Sequence, residues 1–150
     1  MCHVFLFPER IMWSKTYSKQ VSDLPAEKVW EVWTDINRWH IWQPDIESAE
    51  LDGEFKAGNT FRLKPKGGSW VSIRILEVEP GYQFTDLTCF PGARMYGCHE
   101  FIVHGDGLEI RTTMSIEGFL SFLWRKMVAE KIAHGMAAQT EALIEEAKRI

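Results

Sequence analysis

Residues 107–149 read GLEIRTTMSIEGFLSFLWRKMVAEKIAHGMAAQTEALIEEAKR, and this stretch decides the architecture. Its first part alternates: Leu108, Ile110, Thr112, Met114 and Ile116 point one way, and Glu109, Arg111, Thr113, Ser115 and Glu117 the other. That is the period-two pattern of a strand with one buried face and one wet face. After Gly118 the period becomes helical. Leu120, Leu123, Trp124, Met127, Val128, Ile132, Met136, Leu143 and Ala147 form one apolar stripe. The stripe predicts a helix of about 28 residues ending at Arg149, roughly 40 Å long at 1.5 Å per residue. Gly135 falls on the stripe, where it costs about 1 kcal/mol against alanine and permits a bend or a close approach to a sheet.

Upstream of this stretch the chain reads as a meander. Asp106-Gly107 is a hairpin signal, and Tyr82–Phe90 and Arg94–His104 form a hairpin around Pro91-Gly92. Before them, Ile46–Leu51, Thr60–Lys64 and Trp70–Glu79 are strands separated by glycine turns. Met12 to Ser22 alternates as a first strand, with Trp13, Tyr17 and Val21 on one parity. Pro25 suits the first turn of a helix, and Val29, Val32, Trp33 and Ile36 follow at helical spacing. A second short helical turn between Asn37 and Pro44 carries Trp39 and Trp42. The order β-α-α-β-β-β-β-β-β-α predicts an α+β fold, a curved antiparallel sheet of about seven strands wrapped around the long C-terminal helix. Residues 12–150 read as a single domain, and residues 1–11 as an N-terminal tail or an extension of the first strand, with Met12 an alternative start. The opening MCHVFLFPER lacks the basic region and cleavage site of a signal peptide.

Composition narrows the function classes. A net charge of −4 with scattered Lys and Arg gives no electrostatic case for nucleic acid. No apolar run approaches the roughly 20 residues of a membrane span. Cys2, Cys89 and Cys98 form no CxxC pattern, which predicts buried free thiols in a cytoplasmic protein, with a Cys89–Cys98 bridge across the hairpin as the alternative. Seven Trp, nine Phe and six Met exceed the needs of a compact core and suggest a cavity with aromatic walls, the other reading being an aromatic-rich core.

The chain resembles the helix-grip superfamily of START lipid-transfer domains, polyketide cyclases and the birch pollen allergen. It is most similar to the bacterial polyketide cyclase/dehydrase and lipid-transport family. The resemblance rests on Pro25-Ala26-Glu27-Lys28-Val29-Trp30, Thr34-Asp35, Trp39, Trp42-Gln43-Pro44 and Leu51-Asp52-Gly53. It continues through Gly58-Asn59-Thr60-Phe61-Arg62, Val78-Glu79-Pro80-Gly81, Gly107 and Glu117-Gly118-Phe119, and covers residues 12–148. It implies a pocket for a lipid, quinone or polyketide, and not a particular reaction.

The residues themselves offer one polar pair. If the strands on either side of Pro91-Gly92 pair with positions summing to about 185, Asp86 lies opposite His99 and both face inward. A carboxylate holding an imidazole makes a general base that could take a proton α to a carbonyl; the alternative is a satisfied structural pair. Trp33, Trp39 and Trp42 are expected to contact the ligand at the cavity mouth, with Phe61, Ile73, Phe84, Phe101, Met114, Trp124 and Met127 as walls; plain core packing is the other reading for each. Arg94 and Tyr96 could meet a polar head group, and Arg62, Lys64 and Lys66 read as a solvated basic edge. His3, His40, His104 and His134 lack metal-ligand spacing, so no metal and no cofactor is expected. The expected function is binding, sequestration or transport of a small hydrophobic ligand. A cyclase or dehydratase using His99 and Asp86 is the alternative, and a co-chaperone-like interaction domain with an exposed apolar patch the third. Oligomeric state is left open.

Overall fold

The computed structural model describes residues 11–150. The strands are β1 (Ile11–Ser22), β2 (Ile46–Glu50), β3 (Thr60–Pro65), β4 (Val71–Glu79), β5 (Gln83–Phe90), β6 (Ala93–His104) and β7 (Gly107–Glu117). They form one curved antiparallel sheet, as the sequence predicts, and its strand order is β1-β7-β6-β5-β4-β3-β2. β1 pairs with β7 from Ile11 opposite Glu117 to Ser22 opposite Gly107, so β1 and β2 are the two edges. The chain crosses from one edge to the other through the short helices. Of residues 1–11, only Ile11 is among those described, at the start of β1.

Helix α1 (Ala26–Thr34) begins after Pro25, whose φ of −65° suits a helix start. Its buried face is Val29, Val32 and Trp33, at the helical spacing read from the sequence. A 3-10 turn (Ile36–Arg38) leads into α2 (Trp39–Trp42). Asn37 pins this corner to the end of β2: its amide donates to the Leu51 carbonyl at 3.1 Å and accepts from the Leu51 N–H at 3.0 Å.

The C-terminal helix is interrupted where one continuous helix was expected. It comprises α3 (Ser121–Trp124), a π-helical turn (Arg125–Ala129), α4 (Glu130–His134), a break at Gly135, and α5 (Met136–Arg149). A π turn carries more residues per revolution and so rotates the apolar stripe off its line. Leu123, Met127 and Ile132 face solvent (41%, 51% and 40% exposed), while Ala129 is fully buried. From α5 onward the stripe resumes with Met136, Thr140, Leu143, Ile144 and Ala147 buried.

Two apolar clusters result. Leu143, Ile144 and Ala147 pack with Trp33, Ile36, Trp39, Trp42, Phe61, Ile75, Phe84, Phe101 and Ile110. Ala129 and Met136 pack with Ala93, Met95, Met114 and Ile116 at the other end of the concave face, with Trp124 and Phe90 against them.

Three expectations are corrected. The second face of β7 is not wet: Glu109, Thr113 and Ser115 are buried. β7 lies between β1 and β6, and their side chains close over it; Thr16 and Thr113 hydroxyls bond at 3.1 Å. The run Arg62, Lys64 and Lys66 is not on an edge, because β2 pairs outside β3. Arg62 instead meets Glu50 at 2.8 Å, and Lys64 meets Glu47 at 2.6 Å. Cys89 is free but exposed and stands opposite Arg94, whereas Cys98 is fully buried, stands opposite Thr85 and is not a free thiol. The thiol argument for a reducing compartment is thereby lost. No helix among the described residues is long and apolar enough to cross a membrane.

Glu109 ties three strands together. It accepts from the Ser18 hydroxyl on β1 at 2.7 Å and from Arg111 at 2.7 Å, and lies 3.0 Å from His104 Nε2 on β6. The Ser18 bond first, then His104 and Arg111, hold its carboxyl down from 4.5 to about 2. A depressed carboxyl adds stability that is complete above its unfolded value and is lost as pH falls toward the folded one. Glu109→Gln should therefore lower the unfolding free energy at pH 7 by about 1–3 kcal/mol. Denaturant melts of both proteins should converge as pH drops from 4.5 toward 2; a constant gap would show that the charge is not the source.

Candidate functional site

β5 and β6 are joined by Pro91 and Gly92 alone, so Phe90 faces Ala93. Pro91 sets the first turn position and Gly92 (φ +75°) the second. Counting back from this turn, Phe84 faces His99 and Asp86 faces Gly97. The direct Asp86–His99 opposition expected from the sequence is thus off by two residues. Two residues is one side-chain period, so both groups remain on the concave face and meet diagonally. Gly97 makes this meeting possible. A Cβ at that position would lie 2.7 Å from Asp86 Oδ1, so the missing side chain leaves the space in which Asp86 leans toward His99. His99 Nε2 stands 3.3 Å from Asp86 Oδ2.

These residues form a polar seam between the two apolar clusters. Tyr17, Thr112, His99 and Phe84 face one another in one row across β1, β7, β6 and β5. Met114, Gly97, Asp86 and Ile75 make the next row, across β7, β6, β5 and β4. The His99 ring stacks on Phe84 at 4.4 Å and meets the Trp33 ring edge at 4.7 Å. Were Asp86 a carboxylate and the ring a neutral imidazole, the contact would place the proton on Nε2 and leave Nδ1 as an acceptor, because a carboxylate only accepts hydrogen bonds. That Nδ1 is buried with no protein partner. Three more buried atoms nearby are unpartnered: Trp33 Nε1, Trp42 Nε1 and Gln43 Nε2. All three are donors. The residues touch in series, since Gln43 follows Trp42, whose ring lies 5.5 Å from that of Trp33, which in turn meets His99.

Gln43 also opens onto a cleft of about 480 Å³ between α4–α5 and the β2–β3 edge. The cleft walls include Ile46, Leu63, Pro65, Ile132 and Ala142. Gln139 spans its inner end, donating to Gln43 Oε1 at 2.8 Å. Neither His99 nor Asp86 lines this cleft. A second hollow, of about 730 Å³, lies at the hairpin tip among Phe90, Ala93, Arg94 and Phe119.

Trp33, Trp39, Trp42, Phe61, Phe84 and Phe101 come together, with Ile73 at their margin, but pack on one another and line neither hollow. Trp39 Nε1 bonds the Trp33 carbonyl at 3.0 Å. Met114 and Trp124 belong to the second cluster, and Trp124 stacks on Phe90 at 4.5 Å. Met127 faces solvent within the π turn. Tyr96 has the parity opposite to His99 and so lies on the other face of β6. Its hydroxyl donates to Glu117 at 2.8 Å, and burial, then this bond, pushes the phenol up. Gln43, Gln139 and Trp30 were not singled out as site residues from sequence. Trp30 meets Phe55, Phe84 and Phe101 edge-on. The only sequence sign of Gln43 was its place in the family pattern.

A family model described as polyketide cyclase/dehydrase and lipid transport matches residues 12–148. The chain belongs to this family. No curated protein matches it. Among solved structures it is similar to an aromatase/cyclase from Streptomyces sp. R1128, at 18% identity, covering 91% of this chain and 95% of that one, with a TM-score of 0.71. A hypothetical protein from Helicobacter pylori aligns at 16% identity over 98% and 95% of the two chains, TM-score 0.77. A START superfamily protein from Mycobacterium smegmatis aligns at 15% identity over 89% and 97%, TM-score 0.66. These likenesses establish the helix-grip fold of the polyketide cyclase/dehydrase and lipid transport family, and no more than the fold.

The seam makes a direct prediction about the imidazole. Ring nitrogen NMR shifts of His99 should show the proton held on Nε2 in the native protein. In Asp86→Ala, and in Gly97→Ala, which crowds the carboxylate, the two tautomers should mix. Unchanged shifts in both variants would mean that Asp86 does not orient the ring.

Proposed function

We propose that this domain binds and carries a small hydrophobic ligand of lipid, quinone or polyketide type, admitted at the cleft between α4–α5 and the β2–β3 edge. One observation carries the reading: Trp33, Trp42, Gln43 and His99 each hold an unpartnered polar atom although each is more than nine-tenths buried. Buried polar groups are normally paired, and exceptions call for an explanation. A ligand with oxygen acceptors would pair the indole and amide donors while its apolar body meets aliphatic and aromatic walls. The family description supports this class of ligand. A native mass spectrum of the purified protein should show a retained apolar ligand, and titration with a naphthoquinone or a fatty acid should quench tryptophan fluorescence. Trp42→Phe should weaken that binding roughly five- to tenfold, the worth of one hydrogen bond. A bare mass together with no quenching by either probe would sink the reading.

A second reading has its own support in the contact between His99 and Asp86. In a cyclase or dehydratase, His99 Nδ1 would take a proton α to a carbonyl while Asp86 holds Nε2–H and stabilises the imidazolium. The Trp33 N–H, on a ring touching His99, would be a donor for the enolate oxygen. Turnover of a polyketide-like ketone should then vanish in His99→Ala while binding persists. Turnover that survives this change removes the enzyme reading and leaves the carrier.

A further inference from the structure

The start of the interrupted C-terminal helix carries large apolar side chains that nothing among the described residues covers. Phe119 is 82% exposed and Phe122 64%, and Leu123 and Met127 follow at 41% and 51%. Met12 on β1, which borders the same hollow as Phe119, is 67% exposed. A monomeric soluble protein seldom gathers so many exposed large side chains in one place, and such patches mark contact sites. The cause is visible in the backbone. Gly118 (φ +115°) turns the chain tightly over the hairpin, where a Cβ would collide with the Gly92 carbonyl oxygen. Leu120 N–H bonds that same carbonyl at 2.9 Å, which fixes the helix start in place and points Phe119 and Phe122 outward. The π turn then keeps Leu123 and Met127 out as well.

The charges around the patch differ in sign from the chain as a whole. The chain carries −4, yet residues 118–131 hold Arg125, Lys126 and Lys131 against one acid, Glu130. Glu130 is spent on Arg125 at 2.9 Å, and neither lysine has an ion-pair partner among the described residues. Protruding aromatic side chains beside unpaired lysines match an anionic bilayer interface, where rings sink to the acyl boundary and lysines stay among the head groups. Phe119 also borders the hollow of about 730 Å³, whose walls include Phe90 and Ala93.

We propose that Phe119, Phe122, Leu123 and Met127, flanked by Lys126 and Lys131, dock this protein reversibly on an anionic lipid surface, with the hairpin-tip hollow turned toward the bilayer. This goes beyond ligand binding at the cleft and does not depend on it. The test is co-sedimentation of the full chain with vesicles of phosphatidylcholine containing phosphatidylserine, against vesicles of phosphatidylcholine alone. Binding should occur on the anionic vesicles, weaken as salt rises, and fall tenfold or more in Phe119→Ser/Phe122→Ser. A charge variant that disturbs no packed side chain and lies outside the cleft, Lys126→Glu, should lose roughly fivefold, at about 1 kcal/mol per lysine near the surface. No binding to anionic vesicles overturns the proposal, as does equal binding by the wild type and the charge variant. A concentration-dependent dimer that the Phe119→Ser/Phe122→Ser change abolishes also overturns it, and assigns the patch to a second copy of the chain.

Discussion

The turn between Phe90 and Ala93 holds two residues only, and its register determines which side chains share the middle of the concave face. Phe84 is set under the His99 ring, and Asp86 falls opposite the one residue of β6 that has no side chain. Had the loop been one residue longer, the parity of β6 against β5 would invert and His99 would face the other side of the sheet. The seam therefore costs no special element of structure. It follows from a hairpin of ordinary length and a glycine at residue 97. The Trp33 ring closes the seam from above, held by α1 and by the Trp39 bond to its carbonyl.

That arrangement has an energetic consequence. Each buried polar atom left unpaired costs about 1–3 kcal/mol. Four of them on touching residues amount to a large share of the 5–15 kcal/mol by which a domain is stable. A molecule that supplies the missing partners returns part of this and raises apparent stability by mass action. The interrupted helix has the complementary effect. One unbroken helix would lay its stripe along both clusters, but the π turn and Gly135 divide it into an end that seals the Trp33 cluster and an end that leaves apolar side chains outside. The cleft beside Ile132 and Gly135 lies at that break.

Most of the fold was legible because it rests on local periodicities. Alternation located seven strands to within a residue or two, and the Val29, Val32, Trp33, Ile36 spacing located the buried face of α1. Parity was enough to put Asp86 and His99 on one face. Register was not, since hydrophobic pattern alone cannot distinguish a shift of two residues. The π turn left no mark on the stripe, because Leu123 and Met127 suit a regular helix as well as an exposed π turn. Nearness to the hairpin tip drew attention to Tyr96, whereas its parity, opposite to that of His99, sets it on the other face of β6. The bond between Gln43 and Gln139 joins residues 96 apart, and no local signal can reveal it.

The position of the cleft bears on the choice between carrier and catalyst. A ligand entering between α5 and the β2–β3 edge, as proposed, would meet Gln43 first and would reach His99 only past the rings of Trp42 and Trp33. Those rings are packed, 8% and 2% exposed, so the passage opens only if they turn. Holding a ligand at the Gln43 end would require no turn of those rings, only a shift of the Gln43 amide to bring its buried nitrogen to the ligand. Catalysis requires the deeper position, because a base acts only within hydrogen-bond reach of the proton it removes. On the proposed reading, binding at the cleft would need less rearrangement than chemistry at His99, for which two tryptophan rings would first have to turn.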